Sequence, residues 1–204
     1  MQASEPVTVA PFAESTPLGL LGLAVGCAAL TPVAFGTAVT PDALRTAAWF
    51  CLLFGGGGQF LAGMMALANK NMLGGTLFTT FSFNWIMNWW ALSEISQGRI
   101  PNHSIVFSVD VCFLVIFLVL TYAFGFFSKL LFAFLLDIDV LYILRIAKEL
   151  THMKELAIPV AVCTVILGAI ALWIAFAMLV NPTSGREVFK MPGPLFAPSK
   201  APTV

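Results

Sequence analysis

Six stretches of this chain are long and apolar enough to cross a lipid bilayer, and short polar clusters separate them. A spanning helix needs about 20 mostly apolar residues, because the hydrocarbon core is about 30 Å thick and each residue rises about 1.5 Å. The pattern predicts helices over 17–35, 46–68, 74–92, 111–127, 130–146 and 156–180. Pro17 suits a first helical position, where its missing N–H would be unpaired anyway. Asp42 and Arg45 precede the second stretch, and Asn69, Lys70 and Asn71 follow it. Glu94, Gln97, Gly98, Arg99 and Pro101 form a breaker cluster after the third. The fifth stretch is only just long enough and carries Asp137 and Asp139. Arg145, Lys148, Glu149, His152, Lys154 and Glu155 read as a wet connection after it, and Asn181-Pro182 as the stop of the sixth. The predicted fold is all-α and integral to the membrane, with an N-terminal tail at 1–16, a six-helix domain at 17–180 and a Pro-rich tail at 181–204.

Composition agrees. Of 204 residues 59% are hydrophobic and 10% charged, and the mean hydropathy of +0.94 lies outside the range of soluble domains. Ten basic residues balance ten acidic ones, which argues against a nucleic-acid partner, whose phosphates demand a basic face. The first basic residue is Arg45, so the first apolar stretch lacks the charged start of a signal peptide and reads as a retained helix. Six crossings put both termini on one side. Lys70, Lys129, Arg186, Lys190 and Lys200 then face Arg45, Arg99, Arg145, Lys148 and Lys154, an even split that leaves orientation open.

Catalytic and metal chemistry have little to stand on. Cys27, Cys51, Cys112 and Cys163 each fall within apolar runs without metal-type spacing, and read as buried packing residues. His103 and His152 lie in connections, with no acidic residue spaced as zinc or nucleophile motifs require. No catalytic residue, metal or cofactor is expected.

Small and polar residues inside the stretches are more informative. Gly19, Gly22 and Gly26 on the first helix, and Gly55 to Gly58 and Gly63 on the second, allow close helix packing in lipid. Gly55 to Gly58 also read as a place where the helix loosens toward a cavity. Thr80, Asn84 and Asn88 stand four apart and share a helical face, with Phe81 and Trp85 on the adjoining stripe. Such a strip either glues helices together or lines a permeation path. Gln59 is a further polar residue within a span. Asp137 and Asp139 stand about 200° apart around a helix, so one ligand cannot touch both. Asp137 and Arg145, eight apart, share a face, with Tyr142 and Lys148 not far away, which reads as an ion pair with these bases or as a proton-carrying group.

Four motifs resemble those of the acetate uptake transporters, the succinate and acetate proton symporters, and they extend over nearly the whole chain. Pro17-Leu18-Gly19-Leu20 keeps the end of that family's opening NPAPLGL. Gly56-Gly57-Gly58-Gln59 through Ala62-Gly63 follows its GGxAQxxAG, with Gly for Ala. Leu73 to Trp85 follows FGxTAFxSYGxFW, with Phe81 for Tyr. Asn181, Gly185-Arg186 and Val188 follow the start of LNxxxGRxVxPxG, and Pro192-Gly193 supplies its Pro and Gly slightly later. The resemblance implies a six-helix protomer in a hexameric ring, in an inner or plasma membrane, each protomer carrying a small carboxylate, acetate or also succinate, with a proton. It implies a constriction at Leu23, Phe81 and Ile138, and a substrate path along Gln59, Thr80, Asn84, Trp85 and Asn88. Two departures stand out: an acidic residue that members often carry falls at Ala66, and Asp137 and Asp139 flank Ile138. The residues also suit two other readings, a passive channel for a neutral solute such as urea or a protonated acid, and a non-transporting membrane partner subunit.

Overall fold

The structure is a computed structural model and describes residues 10–197; the outer parts of the two tails, 1–9 and 198–204, lie outside the described residues. It contains six long helices: α1 (Thr16–Ala34), α2 (Pro41–Ala68), α3 (Met72–Ser96), α4 (His103–Phe124), α5 (Lys129–Thr151) and α6 (Ala157–Ser184). Among the described residues there is no strand. Four helices, α1, α2, α4 and α6, are long and apolar enough to cross a membrane. The other two, α3 and α5, carry Asn84, Asn88, Asp137, Asp139 and the basic residues near the end of α5.

Several helices run beyond the apolar stretches that reveal them, because their caps are polar. Asn102 Oδ1 accepts from Ile105 N at 3.1 Å, so α4 begins eight residues before the expected 111. Thr40 and Asn71 cap α2 and α3 in the same way. Helix α5 continues through Arg145 and Lys148 to Thr151 and stops where His152 turns left-handed at φ 55°. These residues are therefore helical, not a connection. Helix α6 passes through Asn181 and Pro182 and ends at Gly185, whose φ of 64° favours glycine.

Midway, α2 widens into a π-helical segment, Cys51–Gly58, a form seen in short insertions within α-helices. Close packing accompanies the widening. A Cβ on Gly22 of α1 would stand 2.5 Å from Phe54 O. The Trp85 ring of α3 lies against Gly26 of α1, where a Cβ would meet Cη2 at 2.8 Å, and against Gly55. Close packing and a widened helix therefore coincide at these glycines.

Backbone packing runs α3–α2–α1–α6–α5–α4. The ends of this series meet through side chains: Phe81 of α3 stacks edge-on to Phe117 of α4 at 5.1 Å, and Phe113 and Phe117 lie parallel to Tyr142 of α5 at 6.0 and 5.6 Å. Large rings fill the wider space between these helices and leave room for cavities at both ends of it.

Candidate functional site

One cavity, of about 270 Å³, lies among the C-terminal halves of α1, α3 and α5 and the start of α6. Helix α3 supplies Phe81, Asn84, Trp85 and Asn88, and α5 supplies Ile138, Tyr142, Arg145 and Lys148; Leu30 and Thr164 come from α1 and α6. A second cavity, of about 280 Å³, lies at the opposite ends of the same helices, lined by Leu20, Phe78, Phe124, Phe134, Ile174 and Met191 among others. The first carries Asn84, Asn88, Arg145 and Lys148, and the second is largely apolar. On α3 the lining passes from Phe78 to Phe81, about 4.5 Å of helical rise. On α5 it passes from Phe134 to Ile138, about 6 Å. Leu23, Phe117 and Leu135 are fully buried in the same core cluster as Phe81 and Ile138.

The polar groups of the first cavity form a connected set. Tyr142, only 1% exposed, donates its hydroxyl hydrogen to Asn84 Oδ1 at 2.8 Å. Asn88 Nδ2 donates to the Asn84 carbonyl at 3.0 Å. The Arg145 guanidinium lies 5.4 Å above the Tyr142 ring and pairs with Asp110 of α4, donating to Oδ1 at 3.1 Å with Oδ2 3.0 Å away. Lys148 reaches the same cavity and has no ion-pair partner among the described residues. Nearby, His103 of α4 meets Glu149 of α5. The Trp85 indole N–H is buried without a partner among the described residues.

Arg145 takes Asp110, not Asp137, as its acidic partner. Eight residues do place Asp137 and Arg145 on one helical face, but about 12 Å apart along the axis, beyond what an Arg side chain bridges to a short carboxylate. Asp137 instead lies beside the Cys163 thiol of α6. Asp139 points to the other side, as the 200° spacing requires, and accepts from Thr121 of α4 at 2.6 Å. Asp139 is 1% exposed, and one oxygen of each carboxyl has no partner among the described residues.

Of the residues singled out in the sequence, Phe81, Asn84, Trp85, Asn88, Ile138 and Arg145 share the first cavity. Gln59 is buried in α2 with Oε1 unpartnered among the described residues. Thr80 is half-buried on α3, and Leu23 is fully buried in α1; these three, with Asp137 and Asp139, lie outside the lining. The sequence singles out neither Asp110 nor Thr121, and it notes Tyr142 and Lys148 only as neighbours of Arg145. The run of Tyr142, Arg145 and Lys148, three apart toward the end of α5, is the signal that marks these two neighbours.

In three dimensions the chain matches the bacterial acetate channel SatP with a TM-score of 0.79 at 22% identity, over 88% of this chain and 99% of that one. The chain has the SatP fold. No family model matches it, and no curated protein matches it in sequence. Within the SatP fold, then, polar groups on α3 and α5 line a cavity that faces a second across a short apolar layer.

Proposed function

We propose that the chain is a membrane channel or transporter of the acetate uptake family, passing small monocarboxylates such as acetate. What supports the reading most is the pair of cavities entering the same helices from opposite ends, with a few ångströms of apolar core between them. A solute crossing from one to the other passes Phe81 and Ile138, with Leu23 completing an apolar collar. Desolvation at such a collar controls passage in the way of a dewetting gate. Asn84, Trp85 and Asn88 offer polar contacts on the approach, and Gln59 and Thr80 act beyond the present lining when the helices shift. In this reading the protomer works within a hexameric ring in an inner or plasma membrane. Movement is linked to a proton, for which Asp137 and Asp139 are the candidate carriers, and succinate is a second substrate. The fold neighbour's function as an acetate channel points the same way.

Uptake of labelled acetate into proteoliposomes, beside labelled urea and protein-free vesicles, tests the reading. Acetate flux above both controls is expected. Urea flux exceeding acetate flux would favour a neutral-solute channel, and no flux of either would favour a non-transporting subunit. Gln59→Leu and Asn84→Leu should each reduce acetate flux while leaving assembly intact.

A further inference from the structure

The amide of Asn84 can face the first cavity in either of two ways. Its Nδ2 would offer hydrogens to a bound solute, and its Oδ1 would offer lone pairs. The structure assigns the choice to Tyr142, and we propose that this tyrosine is a positioning residue for substrate selection: it holds Asn84 as a donor toward the cavity, so that a monocarboxylate anion is accepted over a neutral amide of the same shape. The inference rests on the carboxylate reading above and names the part of it that sets selectivity.

Two observations support it. The Tyr142 hydroxyl, on a residue 1% exposed, donates to Asn84 Oδ1 at 2.8 Å, which leaves Nδ2 without a partner among the described residues. If the amide were turned over, Nδ2 would donate to the hydroxyl, and the hydroxyl hydrogen would have no acceptor among the described residues, a costly state at a buried site. Arg145 lies 5.4 Å above the tyrosine ring. A cation there draws electron density from the phenol and makes the hydroxyl a better donor, which favours the same orientation.

Charge completes the selection. Asp110 pairs with Arg145, at 3.0 Å, so within the cavity lining Lys148 is the cation without an ion-pair partner among the described residues. One uncompensated positive charge toward the end of α5 and one fixed amide donor nearer the apolar layer match one negative charge on a short solute.

The test compares labelled acetate with labelled acetamide, its neutral analogue of nearly the same shape, in proteoliposomes at neutral pH after subtraction of protein-free vesicles. Tyr142→Phe keeps the ring and its packing and removes the hydroxyl. The acetate to acetamide flux ratio should fall about fivefold, roughly 1 kcal/mol at 1.4 kcal/mol per tenfold, through a raised KM for acetate with little change in maximal flux. In an Asn84→Ala background the same substitution should leave the ratio unmoved, since the amide it positions is gone. An unchanged ratio in Tyr142→Phe, or an equal fall in both backgrounds, overturns the proposal. Should Tyr142→Phe fail to fold, Asn84→Asp decides: replacing the donor by a carboxyl should lower the ratio, and an unchanged ratio overturns the proposal. Wild-type protein that passes no acetate above the vesicle control refutes the carboxylate reading itself, whereas acetate passage with an unchanged variant ratio refutes only the role of Tyr142.

Discussion

Truncation of Phe81 to Ala separates a collar from an ordinary core residue. Phe81 is 3% exposed, and its ring lies 5.1 Å edge-on to Phe117 and 6.1 Å from Trp85. Removing a buried Phe side chain from a closed core costs about 3–5 kcal/mol, of which the transfer of the ring is one part and the void left behind another. The aromatic pair with Phe117 adds about 1 kcal/mol within that figure. Phe81 also borders a cavity of about 270 Å³, so the space it vacates joins an existing opening instead of creating a sealed void. The expected loss is therefore about 3 kcal/mol, the low end of the range. A packing residue would show that loss and a matching fall in transport. A collar residue should show the loss together with a rise in acetate flux per folded protomer, or with entry of a larger carboxylate such as lactate. The assay is unfolding in mild detergent alongside flux normalised to the folded fraction. Lowered stability with abolished flux would refute the collar.

Two further changes probe the surroundings of the site. Asp110→Ala leaves Arg145 without its partner; with the Arg145 side chain still 28% exposed, the cost should be about 3 kcal/mol, the lower value for breaking a buried pair, and unfolding measurements showing no change would contradict it. Asn181 accepts from Val188 N and Phe189 N at 2.8 and 3.0 Å and donates to Phe189 O at 2.7 Å. At about 1 kcal/mol per bond, Asn181→Ala should free the segment after α6, seen as faster hydrogen exchange at Val188 and Phe189 with the helices unaffected; equal exchange would refute it.

The helices and half of the site can be read from the chain because both rest on local periodicity. Asn84 and Asn88 share a face with Phe81 and Trp85 nearby through i, i+4 spacing alone, and all four line one cavity. Asp110 and Tyr142 gain their meaning from which helices lie beside them, which spacing within one helix does not state. The Asp137–Arg145 pairing fails for a related reason: a shared face says nothing of axial distance. The helices start before their apolar runs because such runs report burial in lipid, whereas Asn102 and Thr40 start their helices by capping. The segment after α6 has no apolar run at all. Its order comes from polar contacts to distant backbone, such as Ser128 Oγ donating to Pro192 O and Lys129 N to Gly193 O.

The seat of Trp85 between Gly26 and Gly55 limits how such a chain can change over generations. The indole occupies the space that a side chain on either glycine would need, and the widened turn of α2 is what brings Gly55 beneath it. Enlarging either glycine first meets the ring, and shrinking the ring first opens a gap beside the cavity. Single steps in any direction are thus costly, and the three positions on three helices form one heritable unit. A lineage that lost the tryptophan would have to acquire side chains at both glycines to regain a packed core, so the trio should be gained or lost as a whole.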